Sequence, residues 1–256
     1  MKLVYTHEVF TQQTYGGVSR YFVELIKNIR KLNVDVSIRI FGGFYINEYL
    51  REIPAVFGIK VPPIKYTGLL RRKINQLAQN FWIMQNKPSI IHQSYYSDSI
   101  FDKRIKVVLT VPDMIHELHP DSFSDNGETS VLKKRCCERA DKIIAISKTT
   151  RNDLVNLFGI DPKKIEVIYL ASSLEGVTPE QEGKVLFQNY ILYVGDRHGY
   201  KNFDVLIRAY AKSKQVQNDF NLVCFGGGEF SSSEENKINV LDLKKMCIKS
   251  AVMIVC

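Results

Sequence analysis

The sequence predicts an α/β fold with parallel sheets in two domains, residues 1–172 and an incomplete 173–256. Three observations predict it. Short β-branched runs alternate with stretches of helical periodicity, which is the pattern of βαβ units. A segment rich in Ser, Gly, Pro and Glu, from Ala171 to Lys184, interrupts that alternation and reads as a linker. A fresh β-α-β pattern then begins at Tyr190.

Lys2 to Thr6 opens the first domain as a strand. Val18, Tyr21, Phe22, Leu25, Ile29 and Leu32 recur at intervals of three and four and mark one face of a helix. Val34 to Phe41 returns as a strand, and a mixed region with Pro54, Pro62 and Pro63 follows. From Gly68 to Met84, apolar residues at helical spacing stand beside Arg71, Arg72 and Lys73. That pattern suits a helix packed on the domain with a solvated basic edge, the commoner use, or a helix lying on an anionic membrane surface. Further strands are expected at Ile90 to Gln93, Lys106 to Val111, Lys142 to Ile146 and Ile165 to Leu170. Ser147 caps a helix that ends near Gly159. In the second domain, strands at Tyr190 to Val194 and Asn221 to Phe225 flank a helix over Phe203 to Lys212. Ser231-Ser232-Ser233 caps a further helix starting near Glu234.

With 45% hydrophobic and 24% charged residues among 256, the composition is that of a globular protein and excludes a disordered or repeat scaffold. Five cysteines without metal-like spacing, one pair of them the adjacent Cys136-Cys137, read as reduced structural thiols. The first strand runs straight into Thr6, His7 and Glu8 without the apolar core of a secretory signal, so a cytoplasmic location is expected. The net charge of +8 permits attraction to anionic lipid, nucleic acid or phosphorylated ligands. Zinc-finger spacing and basic-aromatic RNA motifs are missing from the sequence, and no nucleic-acid partner is expected.

The densest chemistry follows the strand at Tyr190, where Gly195-Asp196-Arg197-His198-Gly199-Tyr200-Lys201-Asn202 leads into a helix. That is the ligand edge of a parallel sheet, and the helix start adds free amides and a positive dipole end. Arg197 would hold phosphate oxygens with its planar fork and Lys201 would supply a point charge; a basic surface turn is the plainer alternative. Gly226-Gly227-Gly228 after the next strand either lets backbone approach a ligand or makes a flexible turn. In the first domain, Gly16-Gly17 at a helix start exposes amides or simply permits a turn. No G-x-G-x-x-G follows the first strand, which removes the main support for an oxidoreductase. After the strand at Lys106, Asp113, His116 and Glu117 gather candidates for sugar binding or proton handling. Singly, Asp113 would cap a turn and His116 would satisfy a buried carbonyl.

Gly16-Gly17-Val18, Asp113-Met114-Ile115-His116-Glu117, the run Ala140 to Ser147, and Tyr193-Val194-Gly195 with Arg197 and Lys201, in this order, resemble glycosyltransferase family 4 up to about Leu243. The resemblance implies two Rossmann-like domains facing each other across a cleft (GT-B), and metal-free transfer with retention from a nucleotide diphosphate sugar. The acceptor would be a saccharide or lipid-linked saccharide in O-antigen or exopolysaccharide synthesis. Gly16 and Gly17 would lie near the donor phosphates, Arg197 and Lys201 on the diphosphate, and Gly226 and Gly227 near the nucleotide, with Asp113, His116 and Glu117 as catalytic candidates. No metal or other cofactor is implied. Two departures stand out: Pro112 occupies the place where members often carry His, and the paired glutamates of the donor site are missing. Residues Lys244 to Cys256 do not continue the family pattern, so a C-terminally truncated product is expected, with an inactive remnant or a basic membrane- or partner-binding protein as alternatives.

Overall fold

The computed structural model describes residues 1–32, 34–64, 66–172, 189–197 and 199–243, together with the backbone of 247–250. Most of the expected linker, and His198, lie outside them. The chain divides into two compact units, Met1–Ser173 and Leu174–Cys256.

In the first unit, β1 (Lys2–Tyr5) leads through α1 (Glu8–Gln12) and α2 (Gly17–Lys31) to β2 (Ser37–Tyr45) and β3 (Val56–Lys60). Then come α3 (Gly68–Asn86), β4 (Ile90–Gln93), β5 (Lys106–Val111), α4 (Ile115–Leu118), α5 (Glu128–Arg139), β6 (Lys142–Ala145), α6 (Lys148–Phe158) and β7 (Ile165–Val167). The seven strands form one parallel sheet in the order β3-β2-β1-β4-β5-β6-β7. The order reverses between β1 and β4, and ligands of such sheets bind beyond the strand ends at that reversal. The buried face of α2 is turned from the predicted one: Phe22, Val23 and Ile26 pack against Tyr5, Ile38 and Ile40, while Val18, Tyr21, Leu25 and Ile29 of the expected stripe are partly buried and Leu32 is exposed.

β3 is missing from the sequence reading, and β2 starts and ends later than expected. Prolines at 54, 62 and 63 bracket β3, and it can pair only along one edge, which is where prolines are tolerated. The β2–β3 register shifts between Phe41 and Gly43, with Gly43 at φ +58°. This bulge leaves the backbone of Phe44 to the side chain of Asn75 on α3, whose Oδ1 accepts from Phe44 N at 2.9 Å while its Nδ2 donates to Phe44 O at 3.2 Å.

That contact turns α3 over. The helix buries Asn75, Gln79, Trp82 and Ile83 and directs Leu70, Ile74, Leu77, Phe81 and Met84 outward. The apolar residues that the sequence pattern assigns to packing are therefore mostly the exposed ones, and amide side chains fasten the inner face.

In the second unit, β8 (Tyr190–Val194), α7 (Phe203–Lys212), α8 (Lys214–Asp219), β9 (Asn221–Phe225), α9 (Ser232–Val240) and β10 (Cys247–Ser250) build a parallel sheet in the order β10-β9-β8. Phe203, Ile207, Tyr210, Leu222, Cys224, Ile238 and Leu243 form its core. In the segment after Leu243, expected not to continue the family pattern, residues 247–250 pair in register with Leu222–Phe225 as the next parallel strand.

Candidate functional site

At the reversal point of the first sheet, Thr6-His7-Glu8 leaves β1 and Ser94-Tyr95-Tyr96-Ser97 leaves β4. Both segments fold inward because Glu8 gathers their hydroxyls. Thr6 Oγ1 donates to Glu8 Oε2, Ser94 Oγ donates to the same oxygen at 3.1 Å, and Ser97 Oγ donates to Oε1 at 2.9 Å. Three donors on a buried carboxyl group satisfy the acceptor capacity that burial would otherwise make costly.

His7 is held from α3. Gln79 Oε1 accepts from the His7 backbone N–H at 3.2 Å and meets its Nδ1 at 2.8 Å. A backbone N–H can only donate, so the atom facing it is the amide oxygen, and Nδ1 must carry a proton to bond the same atom. In the neutral ring this leaves Nε2 as an acceptor, buried and with no hydrogen-bond partner among the described residues. His7 and Glu8 border a cavity of about 450 Å³ that Arg72, Lys73, Gln76 and Arg135 also line. This volume and this mixture of acids, cations and amides suit a polar ligand rich in hydroxyls. Sequence reasoning missed His7 and Glu8, although three polar residues directly after an apolar strand at the ligand edge were a usable signal.

The trio after β5 does not converge. The exposed Asp113 accepts from Ile115 N at 3.2 Å and caps a turn. Glu117 pairs with Lys133 at 2.6 Å, with both side chains almost fully buried. Lys133 also donates to Asp113 O at 3.1 Å and stands over the Tyr96 ring at 5.4 Å. The ring of His116 instead stacks on Phe123 at 3.9 Å, and its Nδ1 has no partner among the described residues. Burial accounts for the pairing, since Glu117 without Lys133 would be a charge removed from water uncompensated.

At the start of α2, Gln13 Oε1 accepts from Ser19 N at 3.1 Å, and Gly16 leaves the room that this cap occupies. Gly17 faces open space.

In the second unit, Gly195 has φ +119°, and Gly226, Gly227 and Gly228 have φ between +69° and +86°, a region that favours glycine. Arg197 lies between these two loops. Its side chain is fully buried; Nε donates to Glu234 at 2.8 Å, Nη1 to Gly226 O at 2.6 Å, and Nη2 to the carbonyls of Gly227, Gly228 and Glu229 at 2.9–3.3 Å. The guanidinium fork of Arg197, expected to grip a diphosphate jointly with Lys201, makes its hydrogen bonds to loop carbonyls and Glu234 in this structure. Lys201 is exposed, its ammonium 4.9 Å from the Tyr200 ring centroid. Peptide planarity makes each inward carbonyl turn the next N–H outward, so the amides of Gly227, Gly228 and Glu229 point away from Arg197 on an exposed loop. Arg197, Gly226 and Gly227 are thus brought together, and Arg197 shapes the loop from behind.

Two Rossmann-like units, each with glycine-bearing or polar loops at the carboxyl ends of its strands, define an α/β scaffold of the GT-B class. Residues 15–174 match the profile described as Glycosyltransferase Family 4 and residues 177–249 that of glycosyl transferases group 1, and the chain belongs to glycosyltransferase family 4. It is 38% identical over 204 residues to N-acetylgalactosamine-N,N'-diacetylbacillosaminyl-diphospho-undecaprenol 4-alpha-N-acetylgalactosaminyltransferase of Campylobacter jejuni, covering 76% of this chain and 52% of the relative. It is 28% identical over 138 residues to the O-antigen chain mannosyltransferase RfbU of Salmonella typhimurium, covering 53% and 37%. Among solved structures, the lipopolysaccharide outer core galactosyltransferase WaaB superposes with a TM-score of 0.58 at 18% identity, covering 97% of this chain and 67% of that one. UDP-GlcNAc 2-epimerase of Neisseria meningitidis gives 0.59 at 13%, covering 100% and 73%. At these identities the structural likeness concerns the fold. The chain spans about half the length of the curated relatives it matches.

Proposed function

We propose that the protein transfers a sugar from a nucleotide diphosphate sugar to a saccharide or lipid-linked acceptor, with retention and without a metal, in bacterial surface polysaccharide synthesis such as O-antigen or capsule. The observation that carries this reading is the cavity at the β1–β4 reversal, bordered by Glu8, an arginine-lysine wall and His7, whose Nε2 has no hydrogen-bond partner among the described residues. Sugar hydroxyls need such a mixture of acceptors and donors. In the transfer, the acceptor oxygen bonds to the anomeric carbon as its bond to the diphosphate breaks on the same face. The hydroxyl proton leaves with the departing phosphate. In the second unit, Lys201 and the outward amides after Gly226 are the groups suited to the negative charge of a diphosphate. The location is proposed to be cytoplasmic and peripheral to the inner face of the membrane. Nucleic acid is not among the proposed partners.

The test is incubation of the purified chain with radiolabelled UDP- and GDP-sugars and bacterial lipid extract, following release of nucleotide diphosphate and label entering the lipid fraction. Label transfer that falls in a His7→Ala variant supports the reading. Neither release nor transfer overturns it in favour of a non-catalytic binding protein, a second reading that the burial of Arg197 favours.

A further inference from the structure

The sheet of the second unit is open at β8. In the order β10-β9-β8, no strand lies beyond β8 among the described residues. Asn189 O accepts from Asn221 N at 3.1 Å and Gly195 N donates to Phe225 O at 2.8 Å, so the odd-numbered residues of this stretch turn their peptide groups toward β9. Peptide groups alternate sides along a strand, and Tyr190, Leu192 and Val194 therefore aim their N–H and C=O groups at the open edge. The side chains of these three stand away from the core and are 46% to 59% exposed, while Ile191 and Tyr193 pack against the cluster that holds Leu222 and Cys224.

Edge strands are ordinarily guarded against pairing by prolines, charges or bulges. Prolines at 54, 62 and 63 bracket β3, Glu166 on β7 pairs with Lys142, and β10 carries Lys249. β8 has none of these guards: Tyr190-Ile191-Leu192-Tyr193-Val194 holds no charge and no proline, and its pairing with β9 runs without a bulge.

The same five residues are complementary to their own reverse. With two copies antiparallel about a two-fold axis at Leu192, Leu192 faces the partner's Leu192, Tyr190 faces the partner's Val194 and Ile191 faces the partner's Tyr193. Every residue whose peptide groups point outward then meets another such residue, and each of these pairs can exchange both N–H···O bonds. The remaining matches set an aromatic ring beside a β-branched side chain, a favourable cross-strand pair, and no like charges are opposed. Moving the axis to Ile191 or Tyr193 shortens the overlap within β8.

We propose that two copies of the chain associate through β8, antiparallel about a two-fold axis at Leu192, so that their second-unit sheets become one. The carboxyl ends of the two β8 strands then point in opposite directions, and the loops at Gly195 and Gly226 of each copy stay clear of the joint. This inference is independent of the sugar-transfer reading.

Sedimentation velocity over a range of concentrations tests it, together with hydrogen exchange. The chain shows a concentration-dependent dimer, and the amides of Tyr190, Leu192 and Val194 gain protection as it forms, whereas those of Ile191 and Tyr193 are protected throughout. Leu192→Lys, at an exposed position, opposes two ammonium groups at the axis and raises the dissociation constant roughly tenfold, with an unchanged melting profile at dilutions where the parent is monomeric. Leu192→Glu behaves alike, and an equimolar mixture of the two variants recovers the dimer, because each Lys then faces a Glu. A monomer at every concentration overturns the proposal; if the three amides are protected in that monomer, another segment of the chain covers the edge. A dimer that Leu192→Lys leaves intact, or a mixture that fails to recover it, also overturns the proposal and puts the joint elsewhere. Open-ended polymers do the same, since a two-fold joint closes on itself. None of these outcomes depends on whether sugar is transferred.

Discussion

Gln79 Oε1 takes two hydrogen bonds from His7, one from its backbone and one from its ring. A single amide oxygen on α3 thereby sets both the course of the chain after β1 and the tautomer of the imidazole.

The first prediction concerns this pair. Nitrogen-15 NMR of histidine-labelled protein will find a proton on Nδ1 of His7; an Nδ1 without a proton contradicts the geometry. Gln79→Leu leaves a buried backbone N–H without a partner and costs about 1–3 kcal/mol in urea unfolding.

Arg197 gives the second. Its fork contacts four carbonyls and a carboxylate, a set that a lysine ammonium cannot match. Both Arg197→Ala and Arg197→Lys should destabilise the second unit, the former by about 3–5 kcal/mol because Glu234 loses its buried partner. Hydrogen exchange of the 226–229 amides provides the check. If Lys preserves their protection, the fork is not what holds the loop.

A pair of glycines supplies the third. A Cβ at Gly227 would stand 2.8 Å from Arg197 Nη1 on a residue with φ +69°, so Gly227→Ala costs at least about 1–2 kcal/mol. Gly17 has open space around its Cα at the first position of α2, and Gly17→Ala is neutral or stabilises by up to about 1 kcal/mol. Thermal unfolding of the two variants should move in different directions; a Gly227→Ala protein as stable as the parent would refute the contact.

The fourth concerns acid. His92 is buried against Tyr5 and Phe22 with Nε2 2.8 Å from Thr110 Oγ1, and burial holds its pKa down at about 3. The unfolded chain protonates this residue below about pH 6.5 while the folded chain does not. Protons therefore favour unfolding across that window. Stability contributed by neutral His92 is present above pH 6.5 and declines as the pH falls toward 3, by at most about 1.4 kcal/mol per pH unit. Urea midpoints measured against pH should show this slope in the parent and a shallower one in His92→Gln.

Much of the architecture was readable from local pattern. The strand runs at Lys106 and Tyr190 and the caps at Ser147 and Ser231 all appear where periodicity and capping chemistry put them, Ser231 with a full capping box. What escaped depends on contacts remote in sequence. Periodicity finds the stripe on α3, yet the side that faces the sheet is decided by the bulge at Gly43 and its demand for Asn75, 31 residues from Phe44. Glu8 acquires its role only when Ser94 and Ser97, 86 and 89 residues away, reach it. A basic residue after a strand reads as a phosphate ligand, and the sequence gives no sign of the loop carbonyls 29 to 32 residues on to which Arg197 donates. Asp113, His116 and Glu117 are adjacent in the chain, but Lys133 from α5 claims one of them and Phe123 another.

The carboxylate of Glu234 serves two masters: it completes the Ser231 cap that starts α9 and neutralises Arg197, 37 residues earlier. The first turn of that helix and the loop following β8 consequently share one fate. Any substitution that frays either will be felt in both, so a probe placed on one segment doubles as a sensor for the other.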